Sequence, residues 1–440
     1  MIESLKTQPM DSVSGVVPAV NASSRRFAGK LVGMVTFSPY PDDPRPRRAV
    51  DALLAEGARV ELICLGGEGA PRHEVLDGID VFRVPLKRRR RGKFEYAYQY
   101  SSFILISSAI FALRALTRRY DLVYVHNMPD ILVLSAMIPK ALGARIVLDL
   151  HDPMPELMMT IFNLAKDSRS VGLIRRVEKW SIARADSVLT VNLAMKQLIS
   201  SRSCRPEKIG VVMNSPDGQI FPLCVPRSDA LTNQVGNKRF VIMYHGSIVE
   251  RNGLDLAVEA LARVRETVPT AELRIFGPQT PFLERVMDTV RTKNLQGAVR
   301  YLGPRSLEAL VPEIENCDVG VIPNHRNTFT EINTPTRIFE YLAMGKPVIA
   351  PSTSGIQDYF SDQSLLFFEA GNAEDLARQI EYAFSHPREV LEIARRGQKV
   401  YLDHTWERER ETLLGRLSDT LHMSYSSWRT STPSTKVGRL

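Results

Sequence analysis

The 440-residue sequence is poor in features that mark several other protein classes. Its four cysteines lie far apart, with no CxxC and no Cys/His pairing, which argues against a zinc ribbon and against a secreted disulfide scaffold. The most apolar stretch, residues 103–116, contains Arg114 and falls short of the roughly 20 residues that a spanning helix needs. The first 28 residues lack an apolar segment followed by a small-residue cleavage site, so we expect a cytoplasmic protein.

Two common phosphate-binding motifs are also missing. No G-x-G-x-x-G follows the first predicted strand, and no G-x-x-x-x-G-K-[ST] occurs. A dinucleotide oxidoreductase or a P-loop NTPase would therefore lack its usual glycine-rich loop. The net charge of +8 nevertheless favours anionic partners such as phosphates, nucleic acid or an acidic membrane surface.

Short apolar runs rich in β-branched residues alternate with helical patterns along most of the chain. A first series predicts strands at 31–37, 60–65, 81–84, 121–125, 145–150, 187–191 and 209–213. A second series predicts strands at 240–244, 272–276, 299–302, 318–322, 347–350 and 365–368. Strands separated by helices indicate parallel βαβ units, so we predict an α/β protein with two tandem Rossmann-like lobes and a cleft between them.

The two series also suggest domain boundaries. Residues 226–238 are polar and aperiodic and are predicted to be a linker between an N-terminal lobe at 29–225 and a C-terminal lobe at 239–404. Residues 1–28 and 424–440 lack periodicity and are predicted to be disordered tails.

Open parallel sheets bind ligands beyond the carboxyl ends of their strands, so the residues that follow each predicted strand are candidates for the site. In the N-terminal lobe these positions hold polar and charged residues: Asp42, Arg45, Arg48, His126, Asn127, His151, Asp152 and Asn214. In the C-terminal lobe, Gly246 and Gly277 follow two strands. Two facing edges predict a ligand held between the lobes.

The loop after the first strand of the C-terminal lobe is suited to a diphosphate. Gly246 ends the strand, the loop carries Arg251, and Gly253 opens a helix. Free helix N–H groups and a guanidinium can meet phosphate charge. A plain turn with a solvated arginine is the alternative.

Residues 333–355 give the strongest local signal. Thr334 is predicted to cap a helix that has Pro335 at its first position and ends at Gly345. Arg337 and Glu340, three residues apart, share one face, where the helix start can face phosphate and the carboxylate can accept bonds from a ribose diol. A surface Arg–Glu pair is the alternative.

These segments resemble the family-four glycosyltransferases, which have the GT-B fold. The resemblance rests on YHGSIVERNGLDLA, LRIFGP, FEYLAMGKPVIA and STSG in the C-terminal lobe, and on RIVLDLHDPMPEL and VVMNSPDGQIF in the N-terminal lobe. It implies transfer of a sugar from a nucleotide-sugar with retention at the anomeric carbon and without a required metal or other cofactor, UDP- and GDP-sugars being favoured. It also implies that a C-terminal helix at 405–423 packs back on the first lobe.

The resemblance assigns roles to individual residues. Glu340 matches the carboxylate that holds the donor ribose, Gly246 matches the glycine beside the diphosphate, and His151 matches a histidine near the transferred sugar. Where the family often has Arg and Lys, this loop has Ser247 and Asn252. The phosphate role therefore passes to other cations of the lobe, Arg251 and Arg337.

Two further departures leave parts of the site open. Glu331 is one residue out of register with the family's usual glutamate, so Asn333 and Thr334 are the candidates for contacts with the sugar hydroxyls. The first-strand loop lacks the usual glycine pair, so acceptor binding there can differ from the family pattern. We predict His151, Arg251 and Glu340 as the catalytic residues.

A basic run at 87–93 precedes several aromatic residues and the apolar stretch 103–116. Cations beside amphipathic aromatics suit an anionic membrane surface, which predicts peripheral docking through residues 87–116 and a glycan or lipid-linked acceptor. A solvated basic loop before a core helix is the alternative. Nucleic-acid binding is not expected, because no recognition motif accompanies the run.

Two other classes of function stay open. One is a sugar-nucleotide epimerase with the same two lobes, which would need no acceptor. The other is a non-catalytic module that binds a membrane or nucleic acid.

Overall fold

The structure, a computed structural model, describes residues 25–67, 69–86, 93–226 and 239–423. Most of the predicted linker and of the basic run, and all of the predicted C-terminal tail, lie outside these residues. The predicted N-terminal tail lies outside them except for residues 25–28. Phe27 in that short segment is fully buried in the core of the first lobe, so the N-terminal lobe begins earlier than predicted.

The N-terminal lobe is built on one eight-stranded sheet. Its strands are β1 (Leu31–Pro39), β2 (Arg59–Leu65), β3 (His73–Leu76), β4 (Ile79–Val84), β5 (Leu122–His126), β6 (Arg145–Leu150), β7 (Ser187–Thr190) and β8 (Ile209–Val211). Their order is β3-β4-β2-β1-β5-β6-β7-β8, and every neighbouring pair is parallel except β3 with β4. The sheet is flanked by α1 (Pro44–Ala55), α2 (Lys93–Ala115), α3 (Met137–Ala141), α4 (Met154–Phe162), α5 (Arg169–Arg184) and α6 (Leu193–Arg202).

The C-terminal lobe is built on a second, six-stranded sheet. Its strands are β9 (Phe240–His245), β10 (Ala271–Phe276), β11 (Val299–Tyr301), β12 (Val319–Val321), β13 (Val348–Pro351) and β14 (Leu366–Phe368). All pairs are parallel, in the order β11-β10-β9-β12-β13-β14. The helices that follow are α7 (Leu254–Thr267), α8 (Pro281–Thr292), α9 (Leu307–Glu315), α10 (Thr336–Ala343), α11 (Ser354–Gln357), α12 (Ala373–Ser385), α13 (Pro387–Asp403) and α14 (Trp406–His422).

The predicted α/β class and the two lobes are confirmed, and each predicted strand is present. Strand β3 was not predicted. It pairs antiparallel with β4 through a two-residue turn, in which Asp77 (φ 49°) and Gly78 (φ 84°) adopt left-handed conformations. The Asp-Gly pair is the sequence signal for such a hairpin.

Helix α14 returns to the N-terminal lobe. Leu413, Leu414 and Leu417 are buried in the same cluster as Val50 and Leu53 of α1. This helix therefore joins the first lobe, although it follows the second lobe in the chain.

The lobes also contact each other directly beside the cleft. Phe329 of the C-terminal lobe packs against Met154, Leu157 and Met158 on α4. Asn192 at the start of α6 donates through Nδ2 to the hydroxyl of Thr334 at 3.0 Å. Among the residues that the structure describes, none of the helices combines the length and apolar character that crossing a membrane requires.

Candidate active site between the lobes

The site in the C-terminal lobe is centred on His245, the last residue of β9. Its Nε2 lies 2.5 Å from a carboxylate oxygen of Glu340 on α10, and its Nδ1 lies 2.9 Å from the hydroxyl of Tyr341. The Tyr341 hydroxyl donates to the carbonyl of Met243 at 2.8 Å, so it accepts from His245 Nδ1. His245 and Glu340 are both more than nine-tenths buried, which fixes the carboxylate at the strand end.

Arg337 lies beside the same strand end. One guanidinium nitrogen donates to the carbonyl of His245 at 2.7 Å, and the group lies over the ring of Tyr244. The side chain also covers Gly246, where a Cβ would lie 3.2 Å from Cδ of Arg337. In the described part of the chain, no ion pair joins Arg337 to Glu340, so the two are not the simple surface pair that was the alternative.

The loop between β9 and α7 is held in place by its own polar groups. The carbonyl of Ser247 accepts bonds from Asn252 Nδ2 at 2.7 Å and from the Tyr244 hydroxyl at 2.8 Å. Gly253 (φ 64°) is the N-cap of α7, as the sequence predicted, and a Cβ there would lie 1.9 Å from the carbonyl oxygen of Pro323. The loop is therefore tight, and the side chain of Asn252 shapes it.

Gly277, directly after β10, allows a second close approach, between its own backbone and that of Gly246. A Cβ at this position would lie 2.2 Å from the carbonyl oxygen of Gly246. The ends of β9 and β10 can thus lie against each other, which keeps the first loop of the lobe close to the sheet edge.

The start of α10 differs from the prediction by one residue. The helix begins at Thr336 with Pro335 as its N-cap, and Thr334 does not cap it. The Thr334 hydroxyl instead donates to the carbonyl of Gly355 at 2.6 Å and accepts from Asn192. Asn333 lies beside it and is half-buried.

Glu331 supports the neighbouring loop. Its carboxylate accepts a bond from the Ser354 hydroxyl at 2.7 Å, at the start of α11. Glu331, which is one residue out of register with the family's usual glutamate, thus binds a neighbouring loop of its own lobe.

Arg251 faces the N-terminal lobe. Its guanidinium lies over the ring of Phe329, 5.4 Å from the centroid. Burial raises the pKa of Asp152 in the opposite lobe, and the charges of His151 and Arg251 oppose that rise. Arg251 is therefore within electrostatic reach of the Asp152 carboxylate at the facing strand end.

The facing edge is built around Asp149, a fully buried residue of β6. Arg45 of α1 binds its carboxylate with two bonds of 2.6 Å and 2.9 Å, and the hydroxyl of Tyr124 adds a third bond of 2.7 Å. Burial alone would raise the pKa of Asp149, but Arg45, whose charge is foremost, and His151 outweigh it and hold that pKa well below its usual range.

Two residues predicted to contact an acceptor are placed differently. Arg45 is 8% exposed and is engaged with Asp149 and with the Asn214 side chain. His126 is 0% exposed and lies behind His151, with His126 Nδ1 3.1 Å from His151 Nε2. Both side chains are buried in the sheet edge, where they contact Asp149 and His151, so they do not line the cleft surface.

Atoms of His126, Asp149 and His151 lie within 4.8 Å of one another, a spacing that a metal ion can bridge. Arg45 and Tyr124 already supply three hydrogen bonds to the carboxylate, and Arg45 balances its charge. We therefore interpret the group as a hydrogen-bond network.

Asn127 organises the turn that carries His151. Its Oδ1 accepts from the backbone N–H of His151 at 2.8 Å, and its Nδ2 donates to the carbonyl of Asp152 at 2.8 Å. The same Nδ2 donates to Asp130, where burial raises the carboxyl pKa to about 7.

Other acceptor-side candidates lie along α1 and the loop after β8. Arg48 donates to the carbonyl of Ser215 and to Asn214, and lies over the ring of Trp406. Burial lowers the pKa of Arg48 to about 10. Asp42 is exposed at the end of the first-strand loop.

Two important residues were not among the predicted site residues. Asp149 is the only acid among the apolar residues that follow Arg145 in the strand RIVLDL, and that lone acid is the signal that could have found it. His245 directly follows a predicted strand, as His126 and His151 do.

Comparison with protein families supports the two-lobe interpretation. A model described as "Glycosyl transferase 4-like domain" matches residues 44–215, and one described as "Glycosyl transferases group 1" matches residues 239–386. A probable glycosyltransferase, WbjE, from Pseudomonas aeruginosa is 24% identical over 56% of this chain and 60% of its own length. A glycogen synthase from Mycobacterium tuberculosis is 23% identical over 53% of this chain and 54% of its own. The chain thus spans well under two thirds of these curated relatives.

Solved structures share the fold over most of the chain. Sucrose-phosphate synthase from Thermosynechococcus elongatus aligns with a TM-score of 0.71 and 18% identity, covering 89% of this chain and 99% of that one. HepE from Anabaena, solved in complex with UDP, aligns with a TM-score of 0.62 and 16% identity, covering 89% and 99%. At these identities the similarity establishes the GT-B arrangement of the two lobes.

Proposed function

Since the chain belongs to the family-four-like glycosyltransferases, we propose that it transfers a hexosyl group from a nucleotide-sugar to an acceptor, with retention at the anomeric carbon. The observation that carries this proposal is the cluster at the end of β9. There Glu340 and Arg337 both bind His245 beside Gly246. A carboxylate suited to a ribose diol thus lies next to a cation suited to a diphosphate.

The chemical requirement is departure of a nucleoside diphosphate from a centre with oxocarbenium character. Cations and dipoles that stand ready near the leaving group stabilise that transition state most. Arg337 and Arg251, with the start of α10, are the groups that we assign to this role, and we propose that they meet the charge without a metal ion.

A UDP-sugar is the donor that we favour. HepE, which shares the fold, has been solved with UDP and with UDP-glucose. GDP-sugars are the second choice.

For the acceptor we propose a lipid-linked saccharide or polysaccharide precursor, reached from an anionic membrane surface. Helix α2 exposes apolar side chains on one side: Tyr98 is 68%, Leu105 71% and Leu113 67% exposed, and Leu116 just beyond the helix is 80% exposed. The exposed Arg119 follows. Such a face beside basic residues suits the boundary between lipid headgroups and acyl chains.

The name of one relative is compatible with this acceptor. It is a putative teichuronic acid biosynthesis glycosyltransferase from Bacillus subtilis, 25% identical over 42% of this chain and 46% of its own length. The basic run at 87–93 would add electrostatic attraction, and all of it except Lys93 lies outside the described residues.

A panel of UDP-, GDP- and ADP-sugars tests the activity. We expect hydrolysis or transfer with one donor, the same α or β configuration in donor and product, and little activity in Glu340→Ala. Arg291→Ala, which removes an exposed arginine of α8, is the control and should keep full activity. Formation of an epimerised nucleotide-sugar would show an epimerase, and absence of any nucleotide binding would show a non-catalytic module.

Sedimentation with vesicles tests the membrane proposal. The double variant Leu105→Ser, Leu113→Ser should bind equal mixtures of phosphatidylglycerol and phosphatidylcholine more weakly than the wild type. Leu402→Ser, at an exposed position of α13, is the control and should bind normally. Equal binding by all three proteins would refute docking through α2.

A further inference from the structure

The ring of His151 is oriented from behind by His126. Nε2 of His151 points into the lobe, 3.1 Å from Nδ1 of His126 and 3.5 Å from Asp149. This leaves Nδ1 of His151 as the nitrogen available to a ligand in the cleft. The ring is 16% exposed, so only part of it faces the cleft.

One proton lies in the hydrogen bond between the two imidazoles, and its position determines what His151 offers to the cleft. If the proton is on Nδ1 of His126, then His151 carries its own proton on Nδ1 and presents an N–H donor. If the proton is on Nε2 of His151, then the neutral His151 presents a bare nitrogen that can accept a proton. The two arrangements have opposite chemical consequences.

The second nitrogen of His126 decides between them. Its Nε2 is buried and has no hydrogen-bond partner among the described residues. Burial also holds the pKa of His126 well below its usual range, so the ring is neutral and carries a single N–H. A proton on Nε2 would be a buried N–H without an acceptor, which folded proteins rarely contain, whereas a proton on Nδ1 leaves only a bare acceptor there.

The charged groups around the pair do not favour the other arrangement. Asp149 lies 3.6 Å from Nδ1 of His126 and 3.5 Å from Nε2 of His151, and both distances are longer than a normal hydrogen bond. Its carboxylate is bound by Arg45 and Tyr124 at 2.6–2.9 Å, so the closest partner of each facing imidazole nitrogen is the other imidazole, at 3.1 Å. The charges of His151 and Arg251 act on Asp152. The unpartnered Nε2 of His126 remains the asymmetric feature.

We propose that His126 is a positioning residue that donates its Nδ1–H to Nε2 of His151 and so fixes His151 as the tautomer protonated on Nδ1. His151 then donates a hydrogen bond to an oxygen atom of the substrates and does not act as a proton acceptor. The tautomer is a property of the protein alone, and only the identity of the bound oxygen rests on the proposed glycosyl transfer.

Nitrogen NMR of ¹⁵N-histidine-labelled full-length protein at neutral pH, without substrate, tests the tautomer. Spectra of the His151→Gln and His126→Gln variants assign the signals. We expect His151 to show a protonated Nδ1 and an unprotonated Nε2, and His126 to show a protonated Nδ1. A protonated Nε2 on His151, or shifts averaged between the two forms, would overturn the proposal, whether or not the protein transfers sugars.

A pair of variants tests the consequence for activity. His126→Asn keeps an amide N–H donor close to the place of Nδ1, whereas His126→Leu removes the donor. If glycosyl transfer is detected, kcat should fall on the order of 10–100-fold in His126→Leu, the loss seen when the partner that orients a metal-binding histidine is removed, and should recover in part in His126→Asn. Equal kcat in the two variants would contradict the role of His126, and if the leucine variant does not fold, the wild-type spectrum still decides.

Discussion

The two sheet edges that face the cleft are built differently. In the C-terminal lobe, glycines let backbone segments approach closely, whereas in the N-terminal lobe a buried ion pair holds the side chains in place. Gly253 and Gly277 bring loops within distances that a Cβ would forbid, and Arg337 lies on Gly246. On the facing edge, Arg45 crosses to Asp149, 104 residues away in the sequence, and the two histidines rest on that pair. One lobe thus brings its loops tightly against the sheet edge, and the other places a buried, hydrogen-bonded ion pair there.

The largest effect is expected at Arg45, the cation of the buried pair in the N-terminal lobe. Arg45→Met leaves the Asp149 carboxylate buried without its cation, which typically costs about 3–5 kcal/mol. We expect the free energy of unfolding, measured by denaturant titration, to fall by an amount in that range. Arg47→Met, at an exposed neighbour on α1, should change the free energy of unfolding little. Equal effects of the two substitutions would show that the buried Arg45–Asp149 pair does not contribute to stability in this way.

The next effect concerns the cations of the C-terminal lobe. Arg337→Ala and Arg251→Ala should each lower kcat/KM by about 10²–10³, because each removes a charge that stabilises the departing diphosphate. The rates are measured with the donor that the panel identifies. Arg291→Ala serves as the control, and wild-type turnover in both cleft variants would show that the diphosphate lies elsewhere.

Adding a methyl group at Gly253 tests whether the tight backbone contact in the C-terminal lobe is needed for stability. Gly253→Ala places a Cβ against Pro323 in a left-handed conformation, so we expect a loss of about 1–3 kcal/mol in the free energy of unfolding. Gly29→Ala is the matched control, since Gly29 (φ 75°) is also left-handed but no atom lies within 4 Å of its added Cβ. Similar stability of the two variants would mean that the loop relaxes and that its tight geometry is not required.

A second buried carboxyl of the N-terminal lobe, that of Asp130, should make the stability depend on pH. Because the pKa of Asp130 is raised to about 7 from 3.8, the folded protein holds a proton that the unfolded chain releases between these values. Stability should therefore fall as pH rises through this window, by at most about 1.4 kcal/mol per pH unit, and level off above it. Asp130→Asn should lose this slope in denaturant titrations across the window, and an unchanged slope would exclude Asp130 as its source.

The contrast between the lobes also explains what the sequence predicts well. Gly253 at a helix start and Glu340 near the start of α10 depend on local signals such as caps, glycines and strand ends, so they can be read along the chain. The Asp-Gly turn of the β3–β4 hairpin is equally local, although its strand was missed.

The buried residues that contact His151 could not be predicted from local sequence signals. The pairing of Arg45 with Asp149 depends on which strands become neighbours in the sheet, and no spacing rule connects residues so far apart. The burial of His126 follows from the same topology. Thr334 was mispredicted for a related reason. Its sequence position favours capping α10, but its hydroxyl instead donates to the carbonyl of Gly355 and accepts from Asn192, a residue of the other lobe.

A crystal structure with UDP or GDP bound would show where the nucleotide lies in the cleft. We predict the ribose hydroxyls within hydrogen-bond distance of Glu340, and the diphosphate between the loop at Gly246 and the start of α10, in contact with Arg337. A nucleotide bound away from this edge, or no binding of either nucleotide in solution, would contradict the account.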